Sequence, residues 1–167
     1  MKICCISDSH YKTKHSDFVI KYIADNHFDA VVHAGDIGKI DFYNEIMHSA
    51  SSYFVAGNSD NDYNHQYFGT RQTLKFGDIK LGLIHGHQGI NANIVDNVLV
   101  NFKYDNVDVI VFGHTHQPYN EVHDGILCFN PGSCSAEADD PTIGILTVEG
   151  KTITGEIVHL PKPKVEE

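Results

Sequence analysis

The sequence predicts an α/β fold in which two mixed sheets form a layered sandwich flanked by helices. In the first half, short apolar runs alternate with segments of helical periodicity in the order β-α-β-α-β, which favours a parallel sheet with right-handed crossovers. In the second half, four strand-like runs are separated by turn signals, a pattern typical of antiparallel strands. The 167 residues suit one domain with a full core, which we assign to residues 1–160, followed by a C-terminal tail at 161–167.

The elements of the first half follow from the spacing of apolar residues. The first strand, Lys2–Ile6, is apolar almost throughout and is therefore predicted to be buried on both faces. Residues 16–26 carry apolar side chains at helical spacing, and Ser16 is a suitable N-cap. The next predicted elements are a strand at 31–32, a helix at 40–49 and a strand at 53–55.

The second half begins with a segment at 60–69 that is polar and aromatic without a period, and we predict a loop there. Gly77 and Asp78 separate two strand-like runs at 70–76 and 79–84, which indicates a hairpin. A helix is predicted at 93–102 and a strand at 108–112. Antiparallel strands are then predicted at 119–123, 126–129, 142–148 and 152–159.

Composition excludes several classes of protein. The net charge of −10 has the wrong sign for a protein that binds nucleic acid non-specifically through a basic face. No apolar run is long enough to cross a bilayer, and the first residues enter a strand at once, so we expect a cytoplasmic protein without a signal peptide. The four cysteines form no Cys-x-x-Cys pair, and we expect them to be buried and reduced.

Five short polar clusters each follow an apolar run that resembles a buried strand. They are Asp8-Ser9-His10, Gly35-Asp36, Gly57-Asn58, His85-Gly86-His87 and Gly113-His114-Thr115-His116. Because the carboxyl ends of parallel strands converge on one crevice, we expect these side chains to meet. Carboxylate, amide and imidazole donors suit Mn²⁺, Fe²⁺, Zn²⁺, Ni²⁺ or Co²⁺, and the lack of Cys donors favours a catalytic site. One cluster alone is weak evidence, but five together indicate a two-metal centre.

In this order, the five clusters resemble the signature of the calcineurin-like metallophosphoesterases, in particular the small single-domain prokaryotic phosphodiesterases. The family pattern Gly-Asn-x-Asp/Glu is met by residues 57–60, and the run Asn130-Pro131-Gly132-Ser133 resembles a loop of the small-enzyme branch. The resemblance extends from Met1 to about His159. It implies the metallophosphatase-like arrangement of four layers, α/β/β/α.

The resemblance also implies two divalent cations, with Mn²⁺ favoured and Ni²⁺, Zn²⁺, Fe²⁺ or Co²⁺ as alternatives. By motif, the first cation is assigned to Asp8, His10 and His116, the second to Asn58, His85 and His114, and the bridge to Asp36. The implied reaction is hydrolysis of a phosphodiester by a hydroxide that bridges the two cations, without a protein nucleophile. Catalytic roles are assigned to Asp36, Asn58 and His87.

Ser59 is the one departure from the family pattern that matters for the chemistry. Many larger members carry a histidine there, which can protonate the leaving oxygen, whereas serine is a poor acid near neutral pH. We therefore expect leaving groups of low pKa to be favoured unless another group, such as His87, supplies the proton. Six other histidines are expected at the surface: His15, His27, His48, His65, His123 and His159.

Two alternatives to a phosphodiesterase stay open at this point. One is a phosphomonoesterase of the same fold, and the other is a non-catalytic scaffold resembling the retromer subunit. The complete set of donors favours an enzyme, although fold alone does not imply function. We expect a small phosphodiester or other phosphorylated substrate, no stable binding of nucleic acid or membrane, and a monomer or homodimer.

Overall fold

The structure is a computed structural model that describes residues 1–10 and 14–161 and, within the first helix, the side chains from Asp17 onward. The strands in this range are β1 Lys2–Ile6, β2 Ala30–His33, β3 Ser52–Phe54, β4 Arg71–Phe76, β5 Ile79–Ile84, β6 Val109–Val111, β7 Tyr119–His123, β8 Ile126–Asn130, β9 Thr142–Glu149 and β10 Thr152–His159. The helices are α1 Lys14–Asn26, α2 Ile40–Met47, α3 Asp62–Phe68 and α4 Ile94–Phe102.

Two five-stranded mixed sheets form the centre of the molecule, as predicted. One sheet has the order β10-β9-β1-β2-β3, in which β1, β2 and β3 are parallel and β9 is antiparallel to both of its neighbours, β1 and β10. The other has the order β4-β5-β6-β8-β7, in which β5, β6 and β8 are parallel and both edge strands are antiparallel. Each sheet therefore has a run of parallel strands whose carboxyl ends lie at one edge.

Apolar side chains on both faces of the strands hold the layers together. Ile3 and Cys5 of β1 pack in the cluster between the sheets with Leu81 of β5. The intervening Cys4 and Ile6 face the other way and pack against α1 and α2. Helix α4 covers the outer face of the second sheet in a separate cluster. Because side chains alternate along a strand, the apolar run of β1 supplies two layers, and the result is the predicted four-layer sandwich.

The prediction of a loop at 60–69 is wrong, because residues Asp62–Phe68 form helix α3. The Asn61 side chain caps this helix by accepting a hydrogen bond from the Asn64 amide at 2.9 Å. Phe68 is buried against Phe54, with the ring centroids 5.4 Å apart. A helix of seven residues is too short to be stable by itself, so its tertiary contacts decide it.

The other predicted elements exist, with shifted boundaries. Helix α1 begins at Lys14, so Ser16 lies inside the helix and is not its N-cap, and the Ser16 side chain lies outside the described residues. Helix α2 ends at Met47, two residues before the predicted end. Strand β8 is antiparallel to β7 but parallel to β6, so the antiparallel prediction is right for only one neighbour. Residues 162–167 of the predicted tail lie outside the described range, and the domain boundary stays a prediction.

The cysteines are free and buried, as predicted: Cys4, Cys5, Cys128 and Cys134. Burial raises the pKa of the Cys128 thiol to about 11 and raises the pKa values of the other three thiols, which disfavours the reactive thiolate form. In the part of the chain that the structure describes, no helix combines the length and apolar character that crossing a membrane requires.

Candidate metal centre

Five loops meet at the carboxyl ends of the parallel strands of both sheets. In chain order, these loops carry Asp8, Asp36, Asn58, His85 and His114. Backbone hydrogen bonds join neighbouring loops: the Asp8 amide donates to the Gly35 carbonyl, and the Gly113 amide donates to the His85 carbonyl, both at 3.0 Å. The structure brings all seven predicted metal ligands to this one site.

A first group of donors consists of Asp8, His10, Asp36 and His116. Each offers one ligand atom, and these atoms all lie within 4.8 Å of one another. The His116 Nε2 atom is 3.2 Å from Asp8 Oδ1 and 3.2 Å from His10 Nε2. A cation placed among these three atoms would stabilise all of them.

A second group surrounds His85, whose side chain is fully buried. Its Nδ1 lies 2.7 Å from the Ala34 carbonyl oxygen, which can only accept, so Nδ1 carries a proton and Nε2 is the atom that can bind a metal. That Nε2 is 3.1 Å from Asn58 Oδ1 and 3.4 Å from Asp36 Oδ2. The His114 ring completes the group, 5.2 Å from the His85 ring between centroids. Asp36 therefore belongs to both groups.

The carboxylate of Asp8 supplies the clearest sign that a cation fits this site. Its Oδ2 accepts hydrogen bonds from the Ser7 hydroxyl at 2.6 Å and from the His114 amide at 3.1 Å. Its Oδ1 is buried and has no hydrogen-bond partner among the described residues. This oxygen makes no hydrogen bond of good geometry, although His116 Nε2 lies only 3.2 Å away, so a cation bound between the two atoms would satisfy both.

The carboxylates also shift the pKa values of the imidazoles. Burial works to lower the pKa of His85, but the contact with Asp36 and the charge of Asp8 outweigh it and raise that pKa. Burial works to raise the pKa of Asp36, but the hydrogen bond and charge of His85 leave it far below its usual range. The contact with Asp8 raises the pKa of His116. In the absence of a metal, these carboxylates favour the protonated imidazoles, and a divalent cation would compete with those protons.

Five of the predicted ligands have a left-handed backbone conformation, which is uncommon for residues other than glycine. They are Asp8, His10, Asp36, His114 and His116, with φ between 53° and 70°. Each such residue costs on the order of 1 kcal/mol, and the surrounding hydrogen bonds must hold it in place. The strain lies where the chain leaves each strand and turns its donor toward the centre of the site.

Glycines next to the ligands leave the space that these turns require. A Cβ atom at Gly57 would lie 2.1 Å from Asp36 Oδ1, and one at Gly113 would lie 1.9 Å from Ser7 Oγ. Neither glycine has a positive φ, so the backbone conformation does not require glycine at these positions. The lack of space for a side chain does. Any side chain at Gly57 would push directly on the carboxylate that both donor groups share.

Two buried polar residues beside the site have roles that the sequence analysis missed. The Asp60 carboxylate accepts hydrogen bonds from the amides of Ile37, Gly38 and Gly57, and so ties the Asp36 loop to the Asn58 loop. His33 is fully buried at the end of β2. Asp60 is part of the family pattern, but nothing in that pattern separates an anchoring carboxylate from a ligand. The single histidine in the second strand was the available signal for His33.

His87 lies beside the second donor group. Its ring centroid is 5.5 Å from that of His85 and 6.3 Å from that of His114, and its buried Nδ1 has no hydrogen-bond partner among the described residues. Burial and the neighbouring imidazoles lower its pKa. Ser59 is exposed, and its backbone amide donates to Asp36 Oδ1 at 2.9 Å. The catalytic role of His87 stays a prediction.

The described histidines among those expected at the surface differ in exposure. His27, His48 and His159 are exposed, His65 and His123 are half-buried, and the His15 side chain lies outside the described residues. Within the site itself, exposure is graded. Asp8, Asp36 and His85 form a buried floor, whereas Asn58, His114 and His116 form an exposed rim. A ligand can therefore reach the donors from solvent.

Comparison with known proteins identifies relatives along the whole chain. A probable metallophosphoesterase from Methanothermobacter thermautotrophicus is 28% identical over 170 residues, covering 98% of this chain and 95% of that protein. A protein named phosphodiesterase from Methanocaldococcus jannaschii is 28% identical over 164 residues, covering 90% of this chain and 95% of that protein.

Solved structures share the fold. A single mutant of Vps29 from Entamoeba histolytica superposes with a TM-score of 0.78 at 20% identity, covering 96% of this chain and all of that one (100%). A structure described as a novel archaeal phosphodiesterase superposes with a TM-score of 0.74 at 26% identity, covering 95% of this chain and 100% of that one.

The family is shown by a sequence model of the calcineurin-like phosphoesterase superfamily domain, which matches residues 1–151. The matched range contains all seven predicted ligands and His87, and the expected resemblance is confirmed. The described residues also provide a group of donors suited to a metal ion. This chain belongs to the calcineurin-like phosphoesterase superfamily.

Proposed function

We propose that this chain is a metal-dependent phosphodiesterase that binds two divalent cations and hydrolyses small phosphodiesters. The observation that carries the proposal is the position of Asp36, whose carboxylate belongs both to the donor group around Asp8 and to the one around His85. A carboxylate shared between two sets of donors is the arrangement that a two-cation centre needs. The unpartnered Oδ1 of Asp8 supports the fit of a cation.

The donors divide between the cations as the family resemblance implies. The first cation would be held by Asp8, His10 and His116, the second by Asn58, His85 and His114, and Asp36 would bridge them. The family resemblance favours Mn²⁺, and the mixture of carboxylate, amide and imidazole donors would also suit Ni²⁺, Zn²⁺, Fe²⁺ or Co²⁺.

When bound, two divalent cations activate a water for in-line attack on phosphorus and neutralise charge on the phosphoryl oxygens. The part of the protein is to hold and orient the donors. The Ala34 carbonyl fixes the tautomer of His85, and the Ser7 hydroxyl and His114 amide orient the carboxylate of Asp8. Because water attacks directly, the reaction needs no nucleophilic side chain.

The proposed reaction lacks a good proton donor for the leaving oxygen. Ser59 is a poor acid, and burial and the neighbouring imidazoles lower the pKa of His87, which disfavours the protonated form that a general acid requires. We therefore expect little general-acid help, and diesters with leaving groups of low pKa should be the better substrates.

The substrate class rests on the relatives and on charge. A curated relative and a solved structure are both described as a phosphodiesterase, which supports a diester over a monoester. The net charge of −10 argues against a long nucleic acid as substrate, so we propose a small phosphodiester or other small phosphorylated molecule. We further propose that the protein acts in the cytoplasm as a monomer or homodimer. The fold shared with Vps29 fits the scaffold alternative, but the complete set of donors favours catalysis.

A metal-dependent activity panel tests the proposal. The protein is treated with a chelator, Mn²⁺, Ni²⁺, Zn²⁺ or Mg²⁺ is added back, and hydrolysis of bis-(4-nitrophenyl) phosphate, 4-nitrophenyl phosphate and cyclic nucleotides is followed. We expect diester hydrolysis to be lost on chelation and restored best by Mn²⁺. Asp36→Asn should lower the occupancy of both cations, measured by elemental analysis. The matched control is Asp78→Asn, in the exposed turn of the β4–β5 hairpin.

Each alternative predicts a different result in this panel. At most one cation per chain in the saturated wild-type protein contradicts the two-cation centre. Faster turnover of 4-nitrophenyl phosphate than of the diester favours a phosphomonoesterase. Two bound cations with no turnover of any substrate favour the scaffold.

A further inference from the structure

His33 is a buried histidine that the proposed reaction does not use. It is the last residue of β2, and its ring stacks on Phe54 at 5.5 Å and meets the edge of Phe42 at 6.0 Å. A polar ring in an apolar layer is costly unless its nitrogens are hydrogen-bonded. Both nitrogens of His33 are bonded, and their partners belong to two loops that carry predicted metal ligands.

The hydrogen bonds of His33 define a single tautomer. The Gly35 amide donates to Nδ1 at 3.1 Å, so this nitrogen has no proton and Nε2 has one. Nε2 then donates to the Ser9 hydroxyl oxygen at 2.8 Å, and that hydroxyl donates to the Ile37 carbonyl oxygen at 2.9 Å. Every donor and acceptor on this path is satisfied by a neutral ring, in agreement with burial lowering the pKa of His33 to about 4.

The path connects the backbone around three predicted ligands. Ser9 lies between Asp8 and His10. The two backbone groups at the ends of the path, the Gly35 amide bound to His33 and the Ile37 carbonyl bound to Ser9, lie on either side of Asp36. These three ligands have φ values of 53°, 54° and 55°. Residues other than glycine keep such values only where the surroundings hold them. His33 and Ser9 supply side-chain hydrogen bonds that do so.

We propose that His33 and Ser9 form a positioning pair that locks the loop of Asp8 and His10 to the loop of Asp36, and so presets these donors for a divalent cation. The pair acts through the backbone and coordinates no cation, so both are positioning residues. The effect on metal binding rests on the proposed function, whereas the locking is a property of the metal-free protein.

Amide hydrogen exchange in the metal-free protein tests the locking. The amides of Asp8 and His10 donate across the two loops, at 3.0 Å to the Gly35 carbonyl and at 2.9 Å to the Asp36 carbonyl, so their protection reports whether the loops stay joined. Ser9→Ala removes one link of the path. His33→Phe removes both nitrogens and keeps a ring in the same apolar layer. In both variants we expect about tenfold faster exchange at the amides of Asp8 and His10, measured relative to the exchange of the α4 amides, which report any general loss of stability.

A matched control separates this effect from the general loss of a serine hydroxyl. Ser52→Ala also deletes a hydroxyl that donates to a backbone carbonyl, that of Ala50 at 2.7 Å, but at the opposite end of β3 from the site. This variant should leave the exchange of the Asp8 and His10 amides unchanged. Titration with Co²⁺, followed by visible absorbance, then measures the consequence: affinity should fall by roughly 10–100-fold in Ser9→Ala and in His33→Phe, but not in Ser52→Ala.

The outcomes distinguish this proposal from the proposed function. Unchanged exchange at Asp8 and His10 in a folded Ser9→Ala variant overturns the locking, whether or not His33→Phe folds. Faster exchange combined with wild-type Co²⁺ affinity overturns the presetting of the donors. If the wild-type protein binds no Co²⁺, the metal-dependent function fails, and the exchange measurement still decides whether the pair locks the loops.

Discussion

Replacing Asp60 by asparagine tests whether one buried carboxylate holds together the loops of two predicted ligands. Its Oδ1 accepts from the amides of Ile37 and Gly38 at 3.0 and 3.1 Å, and its Oδ2 accepts from the Gly57 amide at 2.8 Å. Asparagine keeps the shape but has one acceptor oxygen and one amide group that donates. In its best orientation it keeps the first two bonds and turns its NH₂ group toward the Gly57 amide, so that two donors face each other.

The magnitude follows from what is lost at that contact. A hydrogen bond to a charged group contributes about 1.5–3 kcal/mol net, and a buried donor left without a partner costs about 1–3 kcal/mol. These figures partly describe the same loss, so we expect the free energy of unfolding to fall by about 2–4 kcal/mol. For a domain of this size each kcal/mol lowers the Tm by about 2–4 °C, which gives a fall of roughly 4–16 °C.

Thermal unfolding of the metal-free protein, followed by circular dichroism, measures this change. Asp78→Asn is the control, because it makes the same substitution at an exposed turn and should leave the Tm nearly unchanged. Metal affinity should also fall in Asp60→Asn, because the Asp36 and Asn58 loops lose their common anchor. A Tm within about 2 °C of wild type would refute the anchoring role of Asp60.

Three further predictions concern the site. His114→Ala and His116→Ala should each abolish turnover and leave the fold intact. His27→Ala, at an exposed position, should change neither turnover nor the fold. Equal losses of turnover in all three variants would show that the active site lies elsewhere. The pKa values of His85 and His116 are raised in the metal-free protein, so Co²⁺ affinity should fall as the pH drops through that raised range, because protons compete for the same nitrogens. By linkage, the stability that the imidazoles of His85 and His116 give the metal-free protein should be fully present below about pH 6.5 and should be lost as the pH rises through their raised pKa values. A free energy of unfolding that instead rises over this pH range would contradict the raised pKa values. Turnover of aryl and alkyl phosphodiesters should depend strongly on leaving-group pKa, and Ser59→His should flatten that dependence if its ring reaches the leaving oxygen; a flat dependence in the wild-type protein would show that another residue already donates the proton.

The fold was predictable because its signals are local. Continuous apolar runs marked the parallel strands, and Gly77-Asp78 marked the hairpin of the second sheet. The loop wrongly predicted at 60–69 reflects a helix whose stability depends on tertiary contacts. Helix α3 depends on the Asn61 cap and on burial of Phe68 against Phe54, and neither contact is visible in a short polar and aromatic segment.

The sequence by itself determined the kinds of donor and their order along the chain, because each motif closes a strand and parallel strands end at one edge. The tertiary structure alone decided what each polar residue does there. Asp36 and Asp60 are both acidic residues in family motifs, yet one faces two sets of donors and the other is surrounded by backbone amides. His85 and His33 are both buried histidines, yet His85 turns its Nε2 toward the donors of the site, whereas His33 has both nitrogens bonded within the scaffold. A residue type supplies the capacity to bind a cation or a hydrogen-bond donor, and only the groups that the fold packs around it determine which of the two it binds.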